Sequence, residues 1–164
     1  MRKRPKVSGF TLFEVAFAML LVALLAMAAR AAFVRISTRA QGSAFMNDCR
    51  VFSEAFNRYA QEHGSFPPHQ SSLSRFPPEM NGYLSNTNWT RTTPLGGSYD
   101  WDDKDATNSL GVTFNGAIKV TGCTWTLDNL RNLDNWFDDG GLTTGNIRVT
   151  DVGTTVFFVM EVAR

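Results

Sequence analysis

The 164-residue sequence lacks the residue patterns on which most enzyme active sites depend. It has only two histidines, His63 and His69, and contains no HExxH, GxSxG or phosphate-loop motif. A basic patch is missing as well, because the chain from Ala40 onward has nine basic and fourteen acidic side chains. An acidic domain does not suit a nucleic-acid phosphate backbone. We therefore expect neither catalysis nor nucleic-acid binding.

Cysteine is scarce. Cys49 and Cys123 could pair in an oxidising compartment, and a bridge closing so long a loop would stabilise the fold by roughly 4 kcal/mol on the chain-entropy estimate. Cys49 falls on an apolar helical stripe, however, where a buried thiol packs well without a partner. The sequence leaves both alternatives open.

Charge is almost absent between Phe10 and Ala29. This run of twenty residues contains one charged side chain, Glu14, and no proline or glycine. At about 1.5 Å per residue, a helix of this length crosses a hydrocarbon core of roughly 30 Å. The run predicts a transmembrane helix with an acid near its start.

Glu14 is costly in such a helix. A carboxylate at mid-membrane costs roughly 2.5 to 3.5 kcal/mol, whereas each Leu, Phe or Val returns about 0.3 to 0.6 kcal/mol. The apolar residues offset the penalty, so the segment still inserts. No basic residue lies within helical reach, at positions 10, 11, 17 or 18. We expect Glu14 to lack a side-chain partner in its own chain and to pair with a cation on another molecule.

The residues before the apolar run form a short basic leader that ends in glycine. Its basic members are Arg2, Lys3, Arg4 and Lys6, and Gly9 is followed by Phe-Thr-Leu-Phe-Glu. This arrangement resembles the processing signal of the type IV pilin and type II secretion pseudopilin superfamily. The resemblance implies cleavage between Gly9 and Phe10, N-methylation of Phe10, and pairing of Glu14 with the Phe10 amine of a neighbouring subunit during assembly.

The same resemblance implies a fold, a function and a location. The fold would be α+β, with a long N-terminal helix packed on a small antiparallel β-sheet head. The chain would be a structural subunit of a type IV pilus or a type II secretion pseudopilus. Its partners would be a prepilin peptidase, other pilin or pseudopilin subunits, an inner-membrane assembly platform and membrane lipid. The basic leader favours a cytoplasmic N-terminus, with one pass through a bacterial inner membrane and a head in the periplasm or in an extracellular filament.

Two alternatives stay open. Met27-Ala28-Ala29 imitates the small-residue site of an ordinary secretory signal, so the segment could be a plain signal or anchor. The chain could also be a single-pass, membrane-anchored binding or adhesion module that never polymerises. Such a module would use Trp89 and the proline-rich loop. In filaments of the resembled superfamily this loop often faces a neighbour or the exterior, so Trp89 and Tyr83 are candidate contact residues there, or they cover the edge of the sheet.

The chain divides into four predicted segments. These are a cleaved leader (1–9), a transmembrane or filament-core helix (10–29), an amphipathic continuation of that helix (30–63) and a globular pilin-like head (64–164). In the third segment, aromatic residues and one cysteine recur every three or four positions: Phe45, Cys49, Phe52, Phe56 and Tyr59. This spacing predicts one buried helix face. Gly42 is less favourable in a helix than alanine and could permit a bend. Gly64 and the prolines that follow it are predicted to end the helix.

The head contains short β signals and one helical signal. Strands are predicted at 97–101, 111–120, 146–149 and 154–162, a short helical turn at 79–84 and a helix at 125–137. Asn115-Gly116 interrupts the second strand as either a hairpin turn or a bulge. The last predicted strand carries Val156 to Met160 as a buried run.

Five aspartates are candidates for a calcium site, since some pseudopilins of the resembled superfamily hold calcium in a C-terminal loop. They are Asp100, Asp102, Asp103, Asp138 and Asp139. An EF-hand loop counted from Asp100 fails, because Asp105 replaces the glycine of the sixth position and Gly111 the glutamate of the twelfth. We expect solvated turn residues and no cofactor, with calcium as the one exception kept open.

Overall fold

A computed structural model of the chain describes residues 9–69, 75–103, 114–150 and 154–162. The basic leader therefore lies outside the described residues, as do Asp105 and Gly111. The helices are α1 (Leu12–His63), α2 (Asn81–Leu84), which follows a 3-10 turn at Pro78–Met80, and α3 (Leu127–Phe137). The strands are β1 (Ser98–Asp103), β2 (Phe114–Thr121), β3 (Ile147–Val149) and β4 (Thr155–Val162). By internal contacts the chain forms two units, one up to Thr38 and one from Arg39 onward.

Helix α1 ends where the sequence indicates. Gly64 has a φ of 82° and its amide donates to the Ala60 carbonyl at 2.8 Å, which is the left-handed closure that glycine allows. Pro67 and Pro68 follow and cannot continue a helix.

The four strands form one antiparallel sheet in the order β1-β2-β4-β3. All four predicted strands are present among the described residues, and the predicted start of the second strand, 111–113, lies outside those residues. The pairing of β2 with β4 shifts register on both sides of Gly116. Of the two alternatives for Asn115-Gly116, the bulge is therefore correct and the hairpin turn is wrong.

The predicted stripe of the amphipathic helix forms the centre of the core. Phe45, Cys49, Phe52 and Phe56 are buried, and Tyr59 is partly buried. The Phe52 ring meets the Trp89 and Tyr99 rings edge-on, with centroids 4.9 and 4.8 Å apart. Phe56 stacks on Trp101 of β1 at 3.8 Å. Aromatic pairs in these geometries contribute about 0.5 to 1.5 kcal/mol beyond their buried area.

Gly42 is the point where α3 approaches α1 closely. A Cβ atom at this position would lie 2.9 Å from Leu133 Cδ1 and 3.5 Å from Phe137 Cε2. The missing side chain thus makes room for the packing of α3, a role that the sequence did not indicate.

Helix α3 begins with a side-chain cap, because Thr126 Oγ1 accepts the Asn129 amide at 3.3 Å. Leu130 and Leu133 point into the core. Leu127 and Phe137 share the helical spacing of these two residues, but they are 42% and 37% exposed, so only the middle of the apolar face is buried.

Candidate functional site

The N-terminal segment, residues 10 to 38, comprises the start of α1 and the two residues before it, and it exposes apolar side chains on every side of the helix. The large ones are Phe10, Leu12, Phe13, Val15, Phe17, Met19, Leu20, Leu21, Val22, Leu24, Leu25, Met27, Phe33, Val34 and Ile36. Its most apolar 18-residue window has a mean hydropathy of 2.5 and no buried residue. By length and composition the helix could cross a membrane. A continuous apolar surface of this kind marks a site of contact with lipid or protein.

The predicted cleavage point, the Gly9–Phe10 bond, lies just before α1 begins at Leu12. Both residues are exposed, Phe10 by 87%. A Cβ atom at Gly9 would meet no atom within 4 Å. Within the described residues, packing therefore does not require glycine at this position, and the bond is accessible to another molecule.

Glu14 has partners within its own chain, and the expectation that it lacks a side-chain partner is wrong. Its Oε2 accepts the backbone N–H and the hydroxyl of Thr11, both at 2.8 Å, and Thr11 Oγ1 accepts the Glu14 amide at 3.2 Å. This is a capping box, in which Thr11 and Glu14 satisfy the free amides at the helix start. No hydrogen bond to Oε1 is present among the described residues. One carboxylate oxygen thus caps the helix, and the other remains available.

The acidic cluster of β1 is an internal ion-pair network. Lys119 Nζ on β2 lies 2.9 Å from Asp100 Oδ2 and 2.8 Å from Asp102 Oδ1, and both carboxylates are buried. Burial alone would lower the pKa of the Lys119 ammonium, but the two carboxylates outweigh it and hold that pKa above its usual value. Asp103 accepts the His69 amide at 3.0 Å. Asp100 and Asp102 thus balance the charge of Lys119 inside the head. All three aspartates are buried, so the expectation that they are solvated turn residues is wrong.

A second acidic group lies at the C-terminal end of α3. Carboxylate oxygens of Asp134, Asp138 and Asp139 all lie within 4.8 Å of one another. Asp134 is fully buried, and neither of its oxygens has a hydrogen-bond partner among the described residues. Burial, and after it the neighbouring Asp138 and Asp139 carboxylates, raise the pKa of Asp134 to about 6.

Sequence reasoning proposed Asp138 and Asp139 but missed Asp134. The available signal was the four-residue spacing from Asp134 to Asp138 at the end of a helix, which places two carboxylates on the same side of it.

Comparison with known proteins gives one structural match. No protein-family model and no curated protein sequence matches the chain. Among solved structures, the major type IV pilin PilA1 from Clostridium difficile is similar, with a TM-score of 0.54 and 11% sequence identity. The match covers 77% of this chain and 98% of that one. The chain has a type IV pilin fold. This fold confirms the predicted α+β architecture of a long N-terminal helix with a small antiparallel sheet.

The two cysteines of the pilin-fold head are free thiols, so the disulfide that they could have formed is not present. Cys49 is buried within the α1 stripe, and Cys123 Sγ lies 3.5 Å from the Leu95 carbonyl oxygen, to which it donates. Burial raises the pKa of both thiols. Each packs as a small apolar residue in its own place.

Trp89 is not a surface residue of the pilin-fold head. It is fully buried against Phe52 and Phe56, and its indole N–H has no hydrogen-bond partner among the described residues. The prediction that Trp89 is an adhesion contact is therefore wrong. Tyr83 is partly exposed, but its hydroxyl donates to Glu62 of α1 and ties the loop to the helix.

Proposed function

We propose that the chain is a prepilin-like structural subunit of a type IV pilus or of a type II secretion pseudopilus. It is cleaved between Gly9 and Phe10, is N-methylated at Phe10 and assembles through the N-terminal segment, residues 10 to 38. The observation that carries this proposal is the exposed apolar surface of that segment on a chain with a pilin fold.

The exposed segment needs an apolar environment. Each large side chain contributes about 1.5 to 3 kcal/mol when it moves from water into apolar surroundings. The segment offers fifteen such side chains at 45% exposure or more, so water is the least favourable place for it. Membrane lipid before assembly and neighbouring helices after assembly both satisfy this requirement. A single helix can therefore store the subunit in an inner membrane, with the head outside the cytoplasm, and later form a filament core.

The geometry around residue 10 supports processing by a prepilin peptidase. The Gly9–Phe10 bond is exposed and precedes the helix, so an enzyme can bind it in an extended form without unwinding α1. Cleavage leaves the Thr11–Glu14 cap in place, because both residues lie after the cut. It also creates a new amine at Phe10.

Glu14 couples processing to assembly in this proposal. Its Oε2 remains in the helix cap, while Oε1 accepts the Phe10 amine of a neighbouring subunit. In a low-dielectric filament core such a charge-assisted hydrogen bond is stronger than at a wet surface. Only a cleaved neighbour has the amine, so only processed subunits enter the filament, where the assembly platform adds them.

Two variants separate the cap from the charge. In Glu14→Gln the amide oxygen still accepts the Thr11 bonds, but the negative charge is lost. In Thr11→Val the cap hydroxyl is lost, while the Glu14 charge and the backbone bond from residue 11 remain. We expect Glu14→Gln to insert and be cleaved normally, with at least tenfold less chain in the sheared filament fraction. Thr11→Val should stay within about twofold of the unmodified protein.

Normal incorporation of Glu14→Gln would contradict the pairing. Equal loss in both variants would show that Glu14 acts through the helix cap alone. Cleavage is followed in the same cells by the mobility of the chain on a gel, so a defect in processing is distinguished from a defect in assembly.

A further inference from the structure

Helix α3 carries the exposed apolar surface of the head. Among the described residues from Arg39 onward, the large apolar side chains that are at least 37% exposed are Leu127, Trp136 and Phe137, and all three belong to this helix. A single exposed apolar side chain is ordinary on a protein surface. Their restriction to one short helix indicates that α3 contacts something outside the chain.

The exposed side of α3 has an uncharged part and a charged part. At 3.6 residues per turn, Asn129, Asn132 and Trp136 fall within about 60° of one another around the helix, and we call them the α3 strip. Arg131 lies about 100° or more away from each of them. Its Nη1 is 3.3 Å from Asp128 Oδ1, so this ion pair draws the Asp128 carboxylate away from the strip. The strip itself carries no charge.

Contacts with α1 show which way the strip faces. Leu133 and Phe137 approach α1 at Gly42, where a Cβ atom would lie 2.9 and 3.5 Å from their side chains. Trp136 instead meets Arg39, whose guanidinium carbon lies 5.6 Å from the centre of the indole ring. Arg39 is the first residue of the head unit and directly follows the N-terminal segment in the chain. The Trp136 side of α3 therefore lies where that segment joins the head.

The length of α1 before Arg39 matches that of a whole bilayer. At about 1.5 Å per residue, the helix from Leu12 to Thr38 measures about 40 Å. A hydrocarbon core is roughly 30 Å thick, and the bilayer with its headgroup layers is about 40 to 45 Å thick. In the membrane-held form of the proposed function, on which this step rests, Arg39 and the adjoining Trp136 are level with the outer headgroups.

We propose that the α3 strip lies on the headgroup layer of the zwitterionic lipid membrane that holds residues 10 to 38. Tryptophan suits this layer, because its ring is apolar and its N–H is a hydrogen-bond donor. The Arg39 guanidinium can donate to a lipid phosphate while its aliphatic part covers apolar surface. Asn129 and Asn132 offer uncharged donors to the same oxygens. The contact holds the head in one orientation on the membrane before the subunit assembles.

The charges beyond the strip favour zwitterionic over anionic lipid. Asp138 and Asp139 follow α3 and are bound to amides of the next loop and strand. Asp138 Oδ2 accepts the Ile147 amide at 2.7 Å, and Asp139 Oδ1 accepts the Gly141 amide at 2.9 Å. Both carboxylates would be repelled by a negatively charged lipid surface. A neutral surface lets Trp136 make contact without that repulsion.

The test uses the full chain in vesicles of phosphatidylcholine, some of which carry a nitroxide quencher on the headgroup. Asn132→Cys and Arg131→Cys each receive a fluorescent thiol label, and flotation confirms that both proteins are in the membrane. The native Cys49 and Cys123 are buried, and the unmodified protein measures any background labelling. We expect the nitroxide to quench the label at residue 132 at least threefold more than the label at residue 131. Residue 131 is the matched control, because it is exposed on the same helix but lies off the strip.

A second variant tests the tryptophan. Adding Trp136→Ala to Asn132→Cys should reduce the quenching at residue 132 at least twofold, and the side chain is exposed enough for the head to tolerate its loss. Equal quenching at residues 131 and 132 would overturn the contact. Quenching at residue 132 that falls when more protein is packed into each vesicle would assign the strip to a second copy of the chain instead of lipid.

The experiment separates this inference from the proposed function. A chain that floats with the vesicles but shows equal quenching at both positions would remove the lipid contact of α3 and leave membrane storage intact. A chain that does not float with the vesicles would contradict both.

Discussion

The two parts of helix α1 differ in where their apolar side chains find partners. From Arg39 to His63, apolar residues occupy one stripe that is buried against the sheet, and ion pairs such as Arg58–Glu62 at 3.0 Å lie on the exposed side. From Leu12 to Thr38, apolar residues occupy all sides, and the large ones are exposed. The first pattern is satisfied within the chain. The exposed apolar side chains from Leu12 to Thr38 find apolar partners only in lipid or in other molecules. For this reason we assign assembly to that part of the helix.

The largest expected effect compares one phenylalanine from each part. Phe52→Ala removes a fully buried ring that contacts Trp89 and Tyr99, and should lower the free energy of unfolding of the head by about 3 to 5 kcal/mol. Phe17→Ala removes an exposed ring from the N-terminal part of α1 and should change the free energy of unfolding of the head by less than about 0.5 kcal/mol. Urea unfolding in micelles, followed by tryptophan fluorescence, measures both. Equal losses would mean that the two parts do not differ as described.

A second comparison sets the buried carboxylates of the head against the exposed carboxylate of Glu14. Lys119→Met leaves Asp100 and Asp102 buried without their cation, and should destabilise the head by about 3 kcal/mol. Glu14→Ala removes an exposed carboxylate and should leave the stability of the head unchanged. Because the pKa of Lys119 is raised in the folded state, its contribution is complete below pH 10.5 and is lost as pH rises above that value.

The measurement is again urea unfolding, at pH 7 and at pH 11. If Lys119→Met is as stable as the unmodified protein at pH 7, the network does not balance charge in the head.

A third comparison adds bulk to each part of α1. Gly42→Leu places a side chain where Leu133 of α3 already lies, and overpacking should cost about 1 to 3 kcal/mol. Ala26→Leu adds similar bulk at an exposed position of the N-terminal part and should leave the head unaffected. Thermal unfolding of the two variants compares the stability of their heads. If the Gly42→Leu head is as stable as that of the unmodified protein, the packing of α3 does not require a glycine at this position.

The smallest expected effect concerns the two cysteines. Both thiols are buried and free, and burial raises their pKa, so they should resist iodoacetamide at pH 8 in the folded protein. After denaturation without reductant, both should react. Mass spectrometry counts the added groups, and a protein that adds none after denaturation contains the bridge that the structure lacks.

Local patterns were readable from the sequence, and contacts between distant segments were not. The stripe from Phe45 to Phe56 follows from helical spacing alone. The Thr11–Glu14 cap matches the Thr-x-x-Glu signature of a capping box and could have been predicted. It was missed because only positively charged partners of Glu14 were considered, and its partners are the hydroxyl and the backbone amide of Thr11. Lys119 lies opposite Asp100 because of strand register, which the sequence does not specify.

Burial in loops was the least predictable feature. Trp89 lies between prolines, where composition suggests a surface loop, yet it fills the space above Phe52 and Phe56. Asp134 is buried because α3 turns Leu130 and Leu133 into the core and carries the aspartate in beside them. Both outcomes depend on how an element rotates against the rest of the head, and amino-acid periodicity does not encode that rotation.

The proposed function depends on a proteolytic cut that gives the chain a new amine at Phe10. Mass spectrometry of the N-terminus of the native protein, extracted from the membrane of the cells that make it, tests the claim most directly. The account predicts an N-methylated Phe10 and no trace of the leader. A retained Met1, or a first residue near Ala29, would contradict it and leave a plain membrane-tethered domain.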